Sequence, residues 1–302
     1  MTRRTFLRPS AGSMLASAGR ARAAKGRIGM TTRPVPRTGE PLAVVGLGTW
    51  QTFDVGSGAA ERAPLAEVMR LFLQGGGRVI DSSPMYGRAE SVSGDLVAAE
   101  NPSPPPFLAT KVWTTGKAAG EAQMRESMRR MRTDRIDLMQ VHNLLDWETH
   151  LPVLRAWKEL GRIRYTGITH YAPSSFPLLE RLIATEKVDF VQLPYSIATR
   201  EAEKRLLPAA AAAGVAVLVM RPFEEGALFS AVRGKALPPW AAEIGATSWA
   251  QVFLKFVLSH PAVTSAIPAT RRPDHMRDNL AAGAGPLPDE RLRRRMAADF
   301  PS

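Results

Sequence analysis

Four ionisable residues stand where short apolar runs stop. Asp81 ends the run 78–81 and Tyr86 follows five residues later, Lys111 lies near the end of Phe107–Val112, and His142 closes Ile136–His142. Singly, each has an ordinary use: Asp81 before Ser82 and Ser83 could cap a helix, Lys111 could be a solvated edge charge, Tyr86 a loop aromatic and His142 a core histidine. As a set they suit one reaction. Delivering hydride to a carbonyl carbon leaves an alkoxide that must be protonated, and a tyrosine with an ordinary pKa of about 10 is a weak acid near neutrality. A lysine cation beside the phenol lowers that pKa, an aspartate holds the lysine, and a histidine orients the carbonyl oxygen by hydrogen bonding.

Such a set needs a scaffold that brings several strand ends to one mouth. Eight β-branched or apolar runs recur, at 44–49, 78–81, Phe107–Val112, Ile136–His142, Ile163–Thr169, 188–193, 215–220 and 263–267. Between them lie helix-length segments with apolar residues three and four apart, as at Leu65, Val68, Met69 and Phe72, or Leu151, Leu154, Trp157 and Leu160. Alternation of this kind implies a parallel sheet, and eight units close into an α/β barrel of the (β/α)8 TIM type with the site at the carboxyl ends of the strands. A doubly wound open sheet is disfavoured, because Gly46-Leu47-Gly48-Thr49-Trp50-Gln51 lacks the third glycine of a dinucleotide fingerprint. Ahead of the barrel, residues 34–46 alternate through the turn Thr38-Gly39-Glu40-Pro41 and predict a β-hairpin.

The segments Val79-Ile80-Asp81-Ser82-Ser83-Pro84-Met85-Tyr86-Gly87, Ala109-Thr110-Lys111-Val112-Trp113 and Leu138-Met139-Gln140-Val141-His142-Asn143 resemble the signature segments of the aldo-keto reductase superfamily. The resemblance runs, in order, from about residue 33 to about residue 283. It implies a nicotinamide-dependent carbonyl reductase in which Asp81, Tyr86, Lys111 and His142 are the catalytic tetrad and Tyr86 is the general acid. By the same resemblance, a cofactor set is expected at Thr49, Thr169, His170, Gln192, Met220, Arg221, Thr270, Asp278 and Asn279, and a substrate pocket at Trp50, Trp113 and Asn143. Two positions depart from the family pattern: Thr169-His170 replaces a Ser-Asn pair, and Met220 stands where an aromatic ring commonly stacks on the nicotinamide. Arg271 and Arg272 add a feature of their own, since guanidinium forks suit a 2′-phosphate and favour NADPH over NADH. A nicotinamide-binding sensor or accessory subunit with little turnover is the alternative that these departures leave open.

Composition narrows the remaining classes. The 302 residues contain no cysteine, so disulfides, thiol nucleophiles and thiolate metal sites are excluded. The five histidines show no HExxH or H-x-H spacing, and no metal site is expected. The formal charge of +12 does not by itself imply nucleic acid, because five of the arginines (Arg3, Arg4, Arg8, Arg20, Arg22) lie in the first 24 residues. The run Arg291, Arg293, Arg294 and Arg295 reads as a solvated helix face. Residues 1–24 resemble a twin-arginine signal peptide, with Arg3-Arg4 before Phe6-Leu7 and Ala21-Arg22-Ala23 as a cleavage site. The expected organisation is therefore a leader at 1–24 and one reductase domain at 25–302. The expected partners are a small carbonyl substrate and, for a genuine leader, the twin-arginine export machinery, with a periplasmic or exported destination, a cytoplasmic one as the alternative, and no membrane span.

Overall fold

A computed structural model describes Met1 and residues 29–300, so the proposed leader lies outside the described residues. The chain opens with strands β1 (Thr32–Pro34) and β2 (Pro41–Ala43), paired antiparallel with Thr32 opposite Ala43. Gly39 takes a positive φ of 74° in the turn between them, a conformation that costs glycine little. This is the hairpin expected from the sequence, shifted to begin at Thr32 and end before the barrel.

Eight parallel strands follow: β3 (Leu47–Gly48), β4 (Val79–Asp81), β5 (Phe107–Val112), β6 (Ile136–His142), β7 (Ile163–Thr169), β8 (Phe190–Pro194), β9 (Ala216–Met220) and β10 (Val263–Ala266). They are neighbours in chain order. Bridges from Val45 to Ala266 and from Gly48 to Ala269 close the ends of the sheet on each other. The run expected at 44–49 pairs as a two-residue strand at this seam, and its glycines show why. A Cβ at Gly46 would lie 2.9 Å from Ile267 Cγ2, and one at Gly48 only 2.6 Å from the Ile267 carbonyl oxygen. The backbones approach closely enough to exclude a side chain.

Helices surround the strands: α1 (Ala59–Gln74), α2 (Ala89–Glu100), α3 (Lys117–Arg130), α4 (Trp147–Glu159), α5 (Phe176–Thr185), α6 (Leu206–Ala212), α7 (Ala227–Ala231), α8 (Trp249–Ser259), α9 (Pro273–Ala282) and α10 (Glu290–Asp299). The apolar stripe of α1 is buried at Leu65, Val68, Met69 and Phe72, as its spacing requires. On α4 the stripe stops at Trp157, because the helix ends at Glu159 and Gly161 turns with φ of 70°; Leu160, expected in the series, is 66% exposed. The arginine run also differs from expectation. Arg291, Arg294 and Arg295 are exposed, but Arg293 is buried, pairs with Glu203 and donates to the Phe256 carbonyl at 2.6 Å. With Ser259 Oγ and Tyr195 Oη accepting as well, the desolvation of that guanidinium is offset.

The alternation of strand residues divides the barrel interior into two levels. Below, Phe107, Tyr165 and Phe190 pack ring against ring, with Val35 and Leu42 of the hairpin in the same apolar cluster. The hairpin therefore plugs the lower end. Above, the inward positions turn polar: Asp81 on β4, Lys111 on β5, Gln140 and His142 on β6, and Gln192 on β8. Gly167 faces Gln140 across the β6–β7 pair; a Cβ there would meet Gln140 Cγ at 2.9 Å, so its absence gives the amide room to cross the barrel.

Candidate active site

Asp81 is the hub of the upper level. Its Oδ2 accepts from Lys111 Nζ at 2.6 Å, and its Oδ1 accepts from the amides of Gln140 at 3.1 Å and Gln192 at 2.9 Å. Thr49 Oγ1, 3.0 Å from the Asp81 carbonyl, tethers the strand end. Lys111 is fully buried and also donates to the Ser82 carbonyl at 2.7 Å. An ammonium has three donors. Two are held by Asp81 and Ser82, and the nitrogen stands 5.1 Å from the centre of the Tyr86 ring. Burial opposes the Lys111 charge, but Asp81 and then Tyr86 outweigh it, so the ammonium titrates above the usual lysine value.

Tyr86 differs from the sequence expectation in one respect. Lys111 does pull its pKa down, but desolvation is the larger effect and carries the phenol above its ordinary value. The residue keeps some exposure on the cavity side while its hydroxyl lies in desolvated surroundings. His142 meets Tyr86 edge-on at 5.8 Å and has Trp113 6.3 Å away. Burial, then Lys111 and His170, lower its pKa to about 2, so the imidazole is neutral at any physiological pH.

These groups open into a cavity of about 890 Å³ that runs from Tyr86 and His142 to Asp278 and Asn279 at α9. Trp50, Asn143, Met220 and Arg221 line it, as do Thr49, Gln192 and Thr270. Thr169, His170, Trp113, Arg271 and Arg272 do not line it. Thr169 sits behind Gln192, with its Oγ1 3.3 Å from Oε1, and His170 Nδ1 accepts the Ala172 N–H at 3.0 Å. Arg272 is paired with Asp274 at the start of α9, and Arg271 is exposed beside it. Asp278 accepts from Ser248 Oγ and Gln251 Nε2, both at 2.6 Å. Arg221 pairs with Glu225 and stands over Trp50 and Tyr171, at 6.0 and 5.4 Å from the ring centres. Among the described residues no cluster of three or more His, Asp or Glu could hold a metal, and no helix is long and apolar enough to cross a membrane.

Several residues of the candidate site were not expected from the sequence. Gln140 was within reach of pattern reasoning, since it lies two residues before His142 on one strand and must share its face. Tyr171, Glu225 and Trp249, which also line the cavity, carry no spacing signal.

The comparisons with known proteins agree with this architecture. The aldo/keto reductase family model matches residues 44–298. The methylglyoxal reductase YeaE of Escherichia coli is 28% identical over 247 residues, covering 80% of this chain and 85% of that protein. The aldo-keto reductase YhdN of Bacillus subtilis is 28% identical over 186 residues, and that match covers 57% of this chain and 55% of YhdN. Among solved structures, an aldo/keto reductase from Klebsiella pneumoniae in complex with NADP and acetate superposes with a TM-score of 0.74 at 25% identity, covering 91% of this chain and 96% of the other. With its family model matched over the whole barrel and its ionisable residues gathered at the barrel mouth, the chain belongs to the aldo/keto reductase family.

Proposed function

We propose that this protein reduces small aldehydes or ketones to alcohols with NADPH, and that Tyr86 supplies the proton. The observation that carries the reading is the buried Asp81–Lys111 pair set against Tyr86, beside a neutral His142, at one end of the cavity. The cavity suits a dinucleotide: it joins the polar end at Gln192 to Thr270, just before α9, and to Asp278 and Asn279 along that helix. Thr49, Gln192, Met220, Arg221, Thr270, Asp278 and Asn279 would hold the cofactor, with Thr169 and His170 supporting Gln192 from behind. When bound, it supplies the hydride. Trp50 and Asn143 would flank the carbonyl substrate from the cavity wall, with Trp113 beside His142, 6.3 Å from its ring.

The protein's own part is proton delivery and orientation. Lys111 stays charged and places its cation beside the phenol, which stabilises the tyrosinate left after the proton departs. His142, being neutral, can donate one hydrogen bond to the carbonyl oxygen without competing as an acid. Because the Tyr86 pKa is raised, the proton-carrying form predominates through neutral pH and up beyond about 10. Reduction of methylglyoxal or benzaldehyde, followed by loss of reduced-nicotinamide absorbance, should therefore hold steady through neutral pH and fall only in strong alkali; alcohol oxidation, which needs the tyrosinate, should rise with pH. A cofactor that binds without any carbonyl turnover would favour the sensor or accessory-subunit reading instead.

Arg271 and Arg272 are assigned the 2′-phosphate, a role for which Arg272 must leave Asp274. Replacing both with alanine should weaken NADPH about 10-fold or more while leaving NADH nearly unchanged, since charge-assisted hydrogen bonds of this kind are lost only with the phosphate. Equal losses measured for the two cofactors by fluorescence titration would remove the assignment. Residues 1–24 are assigned to twin-arginine export to the periplasm, which fractionation of cells making the Arg3→Lys/Arg4→Lys variant would read as retention in the cytoplasm.

A further inference from the structure

Ser83 lies two residues beyond the end of β4, fully buried, in the turn that leads to Tyr86. Its Oγ is 2.9 Å from His142 Nδ1 and accepts the Met85 backbone N–H at 3.4 Å. A serine hydroxyl has one proton to give. Among the described residues, His142 Nδ1 is the one acceptor within hydrogen-bond distance of it, because its other partner is itself a donor. Were Nδ1 to carry a proton instead, Ser83 Oγ would receive two donors and its own proton would be left buried without a partner, which native structures rarely permit. His142 lines the cavity, and beyond Ser83 its ring has no hydrogen-bond partner among the described residues.

We infer that Ser83 is a positioning residue for carbonyl reduction: its hydroxyl donates to His142 Nδ1, fixes the Nε2–H tautomer, and so turns an N–H towards the carbonyl oxygen. The inference rests on the reading of His142 as the group that orients that oxygen. A neutral imidazole carries one proton on either of two nitrogens, and the hydrogen bond made by one nitrogen sets the state of the other. The neutrality of His142 leaves the choice to Ser83. With Nε2–H facing the cavity, the ring stabilises negative charge as it grows on the oxygen. With a lone pair there, the ring and the carbonyl oxygen repel. The proton that completes the alcohol still comes from Tyr86.

Imidazole nitrogen NMR shifts of isotope-labelled protein test this without reference to turnover, with His142 assigned by the signals missing in His142→Gln. The expected result is an Nε2–H pattern for His142 across neutral pH. In Ser83→Ala the signals should shift towards a mixture of tautomers, and kcat should fall about 10-fold or more with a smaller change in KM, the scale on which partners that fix a histidine tautomer act. Ser83→Thr, which keeps the hydroxyl, should restore both. An Nδ1–H pattern in the unaltered protein, or a Ser83→Ala variant with unchanged tautomer and kcat, would overturn the inference. Full turnover in His142→Gln would instead remove the role of His142 itself, whatever tautomer is observed.

Discussion

Tyr86→Phe is expected to lower carbonyl turnover by about 10²–10⁴-fold, the range over which a positioned general acid acts, with little change in cofactor affinity. The phenol is the one group beside the Lys111 cation that can give up a proton and be stabilised as an anion afterwards. Its ring remains in the phenylalanine variant, so the packing against His142 and Trp50 is kept. The neutral, buried His142 is a poor substitute acid, because its imidazolium pKa is lowered to about 2 and the neutral ring gives up its remaining proton only at high cost. Steady-state kcat together with a cofactor titration checks the expectation. If more than about a tenth of the turnover survives, general acid catalysis by Tyr86 is not what limits the reaction.

How far the site could be foreseen depended on whether a residue acts through the strand pattern or through contacts across the barrel. Asp81, Lys111 and His142 were visible because a barrel places its chemistry at strand ends, and the alternation that buries Phe107 and Ala109 inside β5 also turns Lys111 inward. The hairpin was visible through its turn. The bond from Ser83 to His142 was not, because it joins residues 59 positions apart and depends on the local course of the turn after β4. Gln192 was expected as a cofactor ligand; the contact of its Nε2 with Asp81 Oδ1, 111 positions away in sequence, had no sequence signal. Arg293 shows the same limit on the outside of the barrel. The other arginines of its run are solvated, and Glu203, Tyr195, Ser259 and the Phe256 carbonyl, brought in by other elements, make its burial tolerable.

Breaking the Asp81–Lys111 pair should cost both stability and activity, and the two losses can be separated. Asp81→Asn leaves the fully buried Lys111 ammonium without a counter-charge, and removing one partner of a buried ion pair typically costs about 3–5 kcal/mol. Lys111→Met leaves the converse, a carboxylate 3% exposed with only the Gln140 and Gln192 amides to satisfy it, and a loss of similar size is expected. In the double variant Asp81→Asn/Lys111→Met no unpaired charge remains, the asparagine carbonyl can still accept from the two glutamine amides, and methionine fills much of the lysine volume. Its stability should lie closer to that of the unaltered protein than either single variant does, as measured by denaturant unfolding. Its turnover should stay as low as that of the single variants, because the cation that stabilises the Tyr86 anion is gone. Recovery of activity along with stability would mean that the pair only holds the barrel mouth together. Additive losses of stability, with no recovery in the double variant, would mean that Asp81 and Lys111 act through other partners and that the buried ion pair is not the unit that organises the site.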